Sequence, residues 1–192
     1  MKTKIAFYFV PLIVILGNVF LGYGTAYAWS RLHNGLNTYP QYVYPNIYFS
    51  SETQTAISNA CSQWNSAGAG SLVLKSSVSN NQTIYPQQNG YNDFTKGNRG
   101  QNTYVSQCFW YLSSDSKCRE ADFDLNTYYS FANDGSTNAI DVGDVVTHEL
   151  GHMLGLNDVY STGPTMYAYS SYGQIWRRSI EQDDKNGILS IY

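Results

Sequence analysis

Charge is scarce in this sequence. Of its 192 residues only 13% are Asp, Glu, Lys or Arg, and the formal net charge is −3. With no basic surplus and its Lys and Arg scattered, the chain is not built to take nucleic acid as its main partner. Histidine is rarer still, with three residues in all, so two of them in one motif carry weight. Three cysteines allow one disulfide at most. There is no internal repeat and no linker rich in Pro, Gly or Ser, so nothing divides the chain. Beyond residue 28 no run is apolar enough to cross a bilayer.

What is present begins with a leader pattern. MKTK supplies positive charge, IAFYFVPLIVILGNVFLG is apolar, and Ala26-Tyr27-Ala28 places small residues before Trp29. This predicts a secretory signal peptide over 1–28, and so a secreted protein with no stable membrane association once it is cleaved. The alternative is an uncleaved anchor, because 5–22 is nearly long enough to span. Residues 29–192 suffice for one domain with a real core. In an oxidising compartment one disulfide is expected, between Cys108 and Cys118, which flank FWYLSSDSK. Cys61 would then be a buried thiol, and three unpaired thiols are the competing reading.

The coarse pattern is strands first and a functional helix late, an α+β arrangement. QYVYPNIYF (41–49) alternates like a strand, with Pro45 suggesting an edge or a break. Residues 51–65 carry Ile57, Ala60, Cys61 and Trp64 at helical spacing, and 71–77 reads as a strand. The Gly/Asn-rich stretch 78–100 reads as loop with one short strand near 83–85. Two strands follow, around NTYVSQCFWYL and READFDLNTYYSF, the second with Glu120, Asp122, Asp124 and Asn126 on a face expected to be exposed. IDVGDVVTHELGHML is a helix with Asp141 as N-cap, and the last helix opens at Ser179 with Gln182 at capping-box spacing.

The chemistry concentrates in VVTHELGHMLGLND, 145–158. Residues four apart share a helix face, so His148 and His152 can present two imidazoles to one ion. Glu149 projects beside them, where it can take a proton from a water at the open position of a zinc. Gly155 stops the helix, and the chain turns back so that Asp158, ten residues after His148, can be the third ligand. An anionic ligand partly neutralises the metal and leaves more of the proton transfer to Glu149. His33 lies in a polar N-terminal stretch and reads as a surface residue.

These residues resemble the metzincins, zinc endopeptidases with H-E-x-x-H-x-x-G-x-x-H/D and a methionine turn. The Asp in the last place is similar to the snapalysin-like bacterial enzymes. READFDLN and SIEQDDKNGILSIY are similar to the cleft edge strand and closing helix of the matrixin branch. The resemblance implies a twisted, mostly parallel sheet with one antiparallel edge strand, one catalytic zinc, and Met166 as the turn methionine. It implies an extended peptide lying along the strand of Phe123 and Leu125. Ala168 stands where some relatives have an oxyanion tyrosine, and Tyr167 and Tyr169 flank it. Calcium, common in matrixins, has no clear motif here, and animal matrixins' histidine-rich structural zinc site has no residues to build it. In matrixins an aspartate of the last helix can pair with the freed N-terminus, and Asp183 and Asp184 stand there; the alternative is that both favour that helix N-terminus.

The function expected is a secreted, monomeric zinc endopeptidase with Glu149 as base and peptide or protein as substrate. Two alternatives stand beside it: a zinc-stabilised extracellular binding or adhesion module without turnover, and a processing peptidase with one narrow target. Glu149 speaks against the first, because a structural zinc site needs no base.

Overall fold

The computed structural model describes residues 29–67, 72–75, 82–101 and 103–192; the expected signal segment lies outside them. Among these residues seven strands and three α-helices follow in order: β1 (Gln41–Pro45), α1 (Ser51–Asn65), β2 (Val73–Lys75), β3 (Asn92–Gly97), β4 (Ser106–Leu112), β5 (Cys118–Asn126), β6 (Phe131–Ala132), β7 (Ile140–Asp141), α2 (Val142–Met153) and α3 (Gln182–Ile191). The main sheet runs β2-β1-β3-β5-β4, parallel except for β4, which is antiparallel to β5 at one edge. This is the mostly parallel sheet with one antiparallel edge strand that the resemblance implied. Among the described residues no helix is long and apolar enough to cross a membrane.

The edge strand is not the one expected. β5, with Phe123 and Leu125, lies between β3 and β4, so its backbone is paired on both sides. Only β4 leaves a ladder edge available beside α2. On the other side of β5, β3 arises from NDFTKG, a polar stretch that reads as loop in the sequence. The polar groups are answered inside the fold: Asn92 donates to the Tyr42 carbonyl (2.7 Å) and accepts from Ala121 N (2.7 Å). Thr95 Oγ1 donates to Asp124 (2.6 Å).

One sheet face is apolar and packs under α1 and α2, with Val43, Phe94, Ala121 and Phe123 fully buried and the two phenylalanine rings stacked at 4.2 Å. The opposite face carries Glu120, Asp122, Asp124 and Asn126, expected to face solvent and in fact buried. Backbone N–H groups of the covering segment answer them. Asp122 accepts from Gln87 N (2.8 Å) and Asp93 N (3.0 Å), and Glu120 from Asn89 N (2.6 Å). Asp124 receives the Arg99 guanidinium through two nitrogens (2.7 and 2.8 Å) and the Tyr104 hydroxyl (2.7 Å). Burial, reinforced by the charges of Asp93 and Glu120, outweighs the two backbone bonds at Asp122 and pushes its carboxyl up to about 7.

Three further expectations change. No disulfide joins Cys108 to Cys118; all three cysteines are buried thiols. Cys108 stands opposite Phe123 and Cys118 opposite Leu112, so the two lie four residues apart on the ladder. At the strand rise that is roughly 13 Å, beyond the reach of a disulfide. Burial pushes the Cys118 thiol up to about 12. His33 is not at the surface but buried, and its Nε2–H donates to the carbonyl of His152 (2.9 Å). α3 is capped at Glu181, with Asp184 closing a capping box, two residues later than expected.

Candidate metal centre

α2 is buried along its whole length, so both ends need partners. Asp141 caps the N-terminus by accepting from Asp144 N (2.9 Å). Asp144, in the first turn, pairs with the buried Arg177 (2.7 Å), and Asp141 pairs with Arg178 (2.7 Å). On the core side, Trp64 donates its indole N–H to the Thr147 carbonyl (2.8 Å). A Cβ on Gly151 would come within 2.2 Å of Met166 Sδ and 2.9 Å of Trp64. Glycine is required there for Met166, itself fully buried, to pack against the helix one residue before His152.

The helix stops at Leu154, and Gly155 follows with φ 104°, the left-handed turn its spacing implied. A side chain there would strike the His33 carbonyl at 2.9 Å, because the segment after Trp29 lies across the turn. Leu32 N donates to the Gly155 carbonyl (2.7 Å) and Asn157 N to the Ser30 carbonyl (2.9 Å). On the other side of Asp158, Val159 N donates to the Met166 carbonyl (2.8 Å). Asp158 is thus held between two backbone clamps, neither of which was read from the sequence.

The three expected ligands converge. One donor atom each from His148, His152 and Asp158 lies within 4.8 Å of the other two. Asp158 Oδ1 is 3.2 Å from His148 Nε2 and 3.5 Å from His152 Nε2. The other ring nitrogens decide which lone pairs face inward. His148 Nδ1 is 3.0 Å from the Thr165 carbonyl and His152 Nδ1 2.9 Å from the Leu156 carbonyl. A carbonyl only accepts, so both Nδ1 atoms are the protonated ones, and in neutral rings both Nε2 atoms turn lone pairs toward Asp158. Its Oδ1 is buried and makes no hydrogen bond of good geometry. Three acceptors facing one another repel unless a cation lies among them. Donors on a tetrahedral zinc at about 2.0–2.1 Å stand about 3.3 Å apart, which matches the two distances. The residues therefore fit a zinc ion.

Burial pulls the His152 pKa down, but its bond to Asp158 and the charges of Asp158 and Glu149 prevail and push it up to about 9. Burial would likewise raise Asp158, yet the two histidines hold its carboxyl far below the usual range. Both shifts report one fact: the cluster attracts positive charge.

Thr165 and Leu156, whose carbonyls orient the ligands, carry no sequence signal beyond their places beside Met166 and Gly155. Asp184 fixes the first by accepting from Thr165 N (2.7 Å) and Met166 N (3.2 Å). That carboxylate is committed to the methionine turn, which leaves no support for its docking the N-terminus. Glu149 is buried beside the cluster and accepts a hydrogen bond from the Ser106 hydroxyl (2.6 Å). Trp110, further along β4, brings its ring to 6.2 Å from His152. Tyr167 and Tyr169 stack edge-on at 5.5 Å and join Tyr160 and Trp176 in an aromatic wall.

Two histidines and a carboxylate converge beside a buried glutamate, next to a sheet edge and with the buried Met166 packed on Gly151 of the same helix, and together they could hold one metal ion. The matrixin family model matches residues 29–192, and the chain belongs to that family. It is therefore a zinc-dependent metallopeptidase. No curated protein matches closely enough to narrow this further.

Proposed function

We propose that the chain is a secreted endopeptidase in which His148, His152 and Asp158 hold one zinc ion and Glu149 moves the proton. The observation that carries this is the meeting of Asp158 Oδ1 with two imidazole Nε2 atoms whose Nδ1–H groups are already given to carbonyls. When bound, zinc supplies a Lewis acid that polarises the scissile carbonyl and makes water a nucleophile at neutral pH. Glu149 accepts the proton of the attacking water and returns it to the leaving amine. The peptide lies extended along β4, the sheet edge next to α2, paired through its backbone. Tyr167 and Tyr169, in the segment after Met166, are the candidates for an oxyanion donor. Secretion rests on the basic, apolar and small-residue pattern of residues 1–28.

Glu149→Gln tests the proton role. Zinc content should be unchanged, because the ligands remain, while peptide turnover falls by about 10²–10⁴. Turnover within about tenfold of wild type would remove Glu149 as the base.

A further inference from the structure

We propose that Ser106 is a positioning residue for Glu149: its hydroxyl, at the first position of the edge strand, fixes the rotation of the carboxylate that transfers the proton. The inference rests on Glu149 being the base. It starts from the strand's period of two. Ser106, Cys108 and Trp110 share one face of β4, and that face is turned to α2, where Ser106 meets Glu149 and Trp110 approaches His152. Ser106 also pairs with Leu125 in the ladder, so its backbone is held by the sheet and its side chain is short. Few donors are better placed to report the position of a rigid element.

The contact is a 2.6 Å oxygen–oxygen distance to Oε1 of Glu149. An ionised carboxylate only accepts, so the hydroxyl donates, and at this length the bond is a strong, charge-assisted one. Among the described residues, Ser106 is the one side chain seen to hydrogen-bond this carboxylate. Glu149 is 5% exposed, so bulk water does not readily replace a lost donor. With Oε1 held, Oε2 is left to accept a proton in a fixed direction. Without the hydroxyl the terminal torsion is soft, and the carboxylate samples orientations in which neither oxygen is aimed at the reacting water. Among the described residues the Ser106 hydroxyl bonds to Glu149 and not to His148, His152 or Asp158, so zinc affinity does not depend on it.

The test uses the full chain with Ser106→Ala and Ser106→Thr. Loaded with zinc, the alanine variant should lose about 10–100-fold in kcat with KM unchanged, because only alignment is lost. The threonine variant, which keeps the hydroxyl, should recover most of that loss. Zinc affinity, measured by competition with a chromophoric chelator, should equal wild type in both. Crystal structures of the metal-free proteins supply a readout independent of turnover. The Glu149 carboxylate should move by more than about 0.5 Å in Ser106→Ala and stay in place in Ser106→Thr. An unmoved carboxylate, an unchanged kcat, or a parallel loss of KM and zinc affinity in Ser106→Ala would each overturn the proposal. If Glu149→Gln keeps its turnover, the general-base reading fails by itself, and the crystallographic comparison still decides whether Ser106 orients the carboxylate.

Discussion

The carboxylates of β5 and those around the C-terminal end of α2 differ in what faces them. On β5, Glu120, Asp122 and Asp124 are met by donors: backbone N–H groups of 87–93, the Arg99 guanidinium and two hydroxyls. Around α2, Asp158 is met by two acceptor nitrogens, and Glu149 by a single hydroxyl. The first group faces donors and ties Gln87, Asn89, Arg99 and Tyr104 to the sheet. In the second, Asp158 faces acceptors, and the cluster attracts a cation. Buried acids alone therefore do not mark a reactive site in this molecule; the sign of their neighbours does. That contrast can be tested from either side.

The largest expected effect on the β5 side comes from Arg99→Ala, which leaves Asp124 buried without its cation. Chemical unfolding should show a loss of about 3 kcal/mol, near the low end for a broken buried pair because Thr95 and Tyr104 still donate. Zinc affinity should be unchanged. A parallel loss of zinc binding would show that the two regions are coupled and blunt the comparison.

A second effect should appear with pH. The Asp122 carboxyl is pushed up to about 7 in the folded protein, against about 3.9 in an unfolded chain. Between those values the folded state binds the extra proton, so this group's contribution to stability falls as pH rises from about 4 to about 7. Asp122→Ala should flatten that part of the profile of the zinc-free protein. An unchanged slope would show that the covering segment solvates Asp122 well enough to keep it ionised.

Legibility in the sequence follows the same divide. α2, its Asp141 cap and the Gly155 stop are readable, because local spacing alone determines them; Met166 is singled out only by the family resemblance. β3 was not, since NDFTKG looks like loop until Asn92 and Thr95 are seen satisfied by neighbouring strands. The polar face of β5 was read as exposed for the same reason: its partners come from residues about 20–35 positions away. The family resemblance places the edge at β5, and nothing in the sequence reveals that β4 inserts antiparallel outside it. The cysteine spacing suggested a bridge that the strand register forbids. His33 looked like surface because nothing local shows that it reaches the His152 carbonyl. The spacing of His148, His152 and Asp158 is legible in the sequence, while the groups that orient them, Thr165, Leu156 and Asp184, and Ser106 beside Glu149, come into view only with the fold.

The central claim is that Asp158 is a metal ligand and not merely a neighbour of two histidines. Zinc affinity of wild type and Asp158→Ala, measured by competition under identical buffer and salt, tests it most directly. A three-donor site reduced to two histidines should lose at least about 10³-fold in affinity. A loss of only about 10–100-fold, the range for groups that orient ligands without touching the ion, would contradict the account.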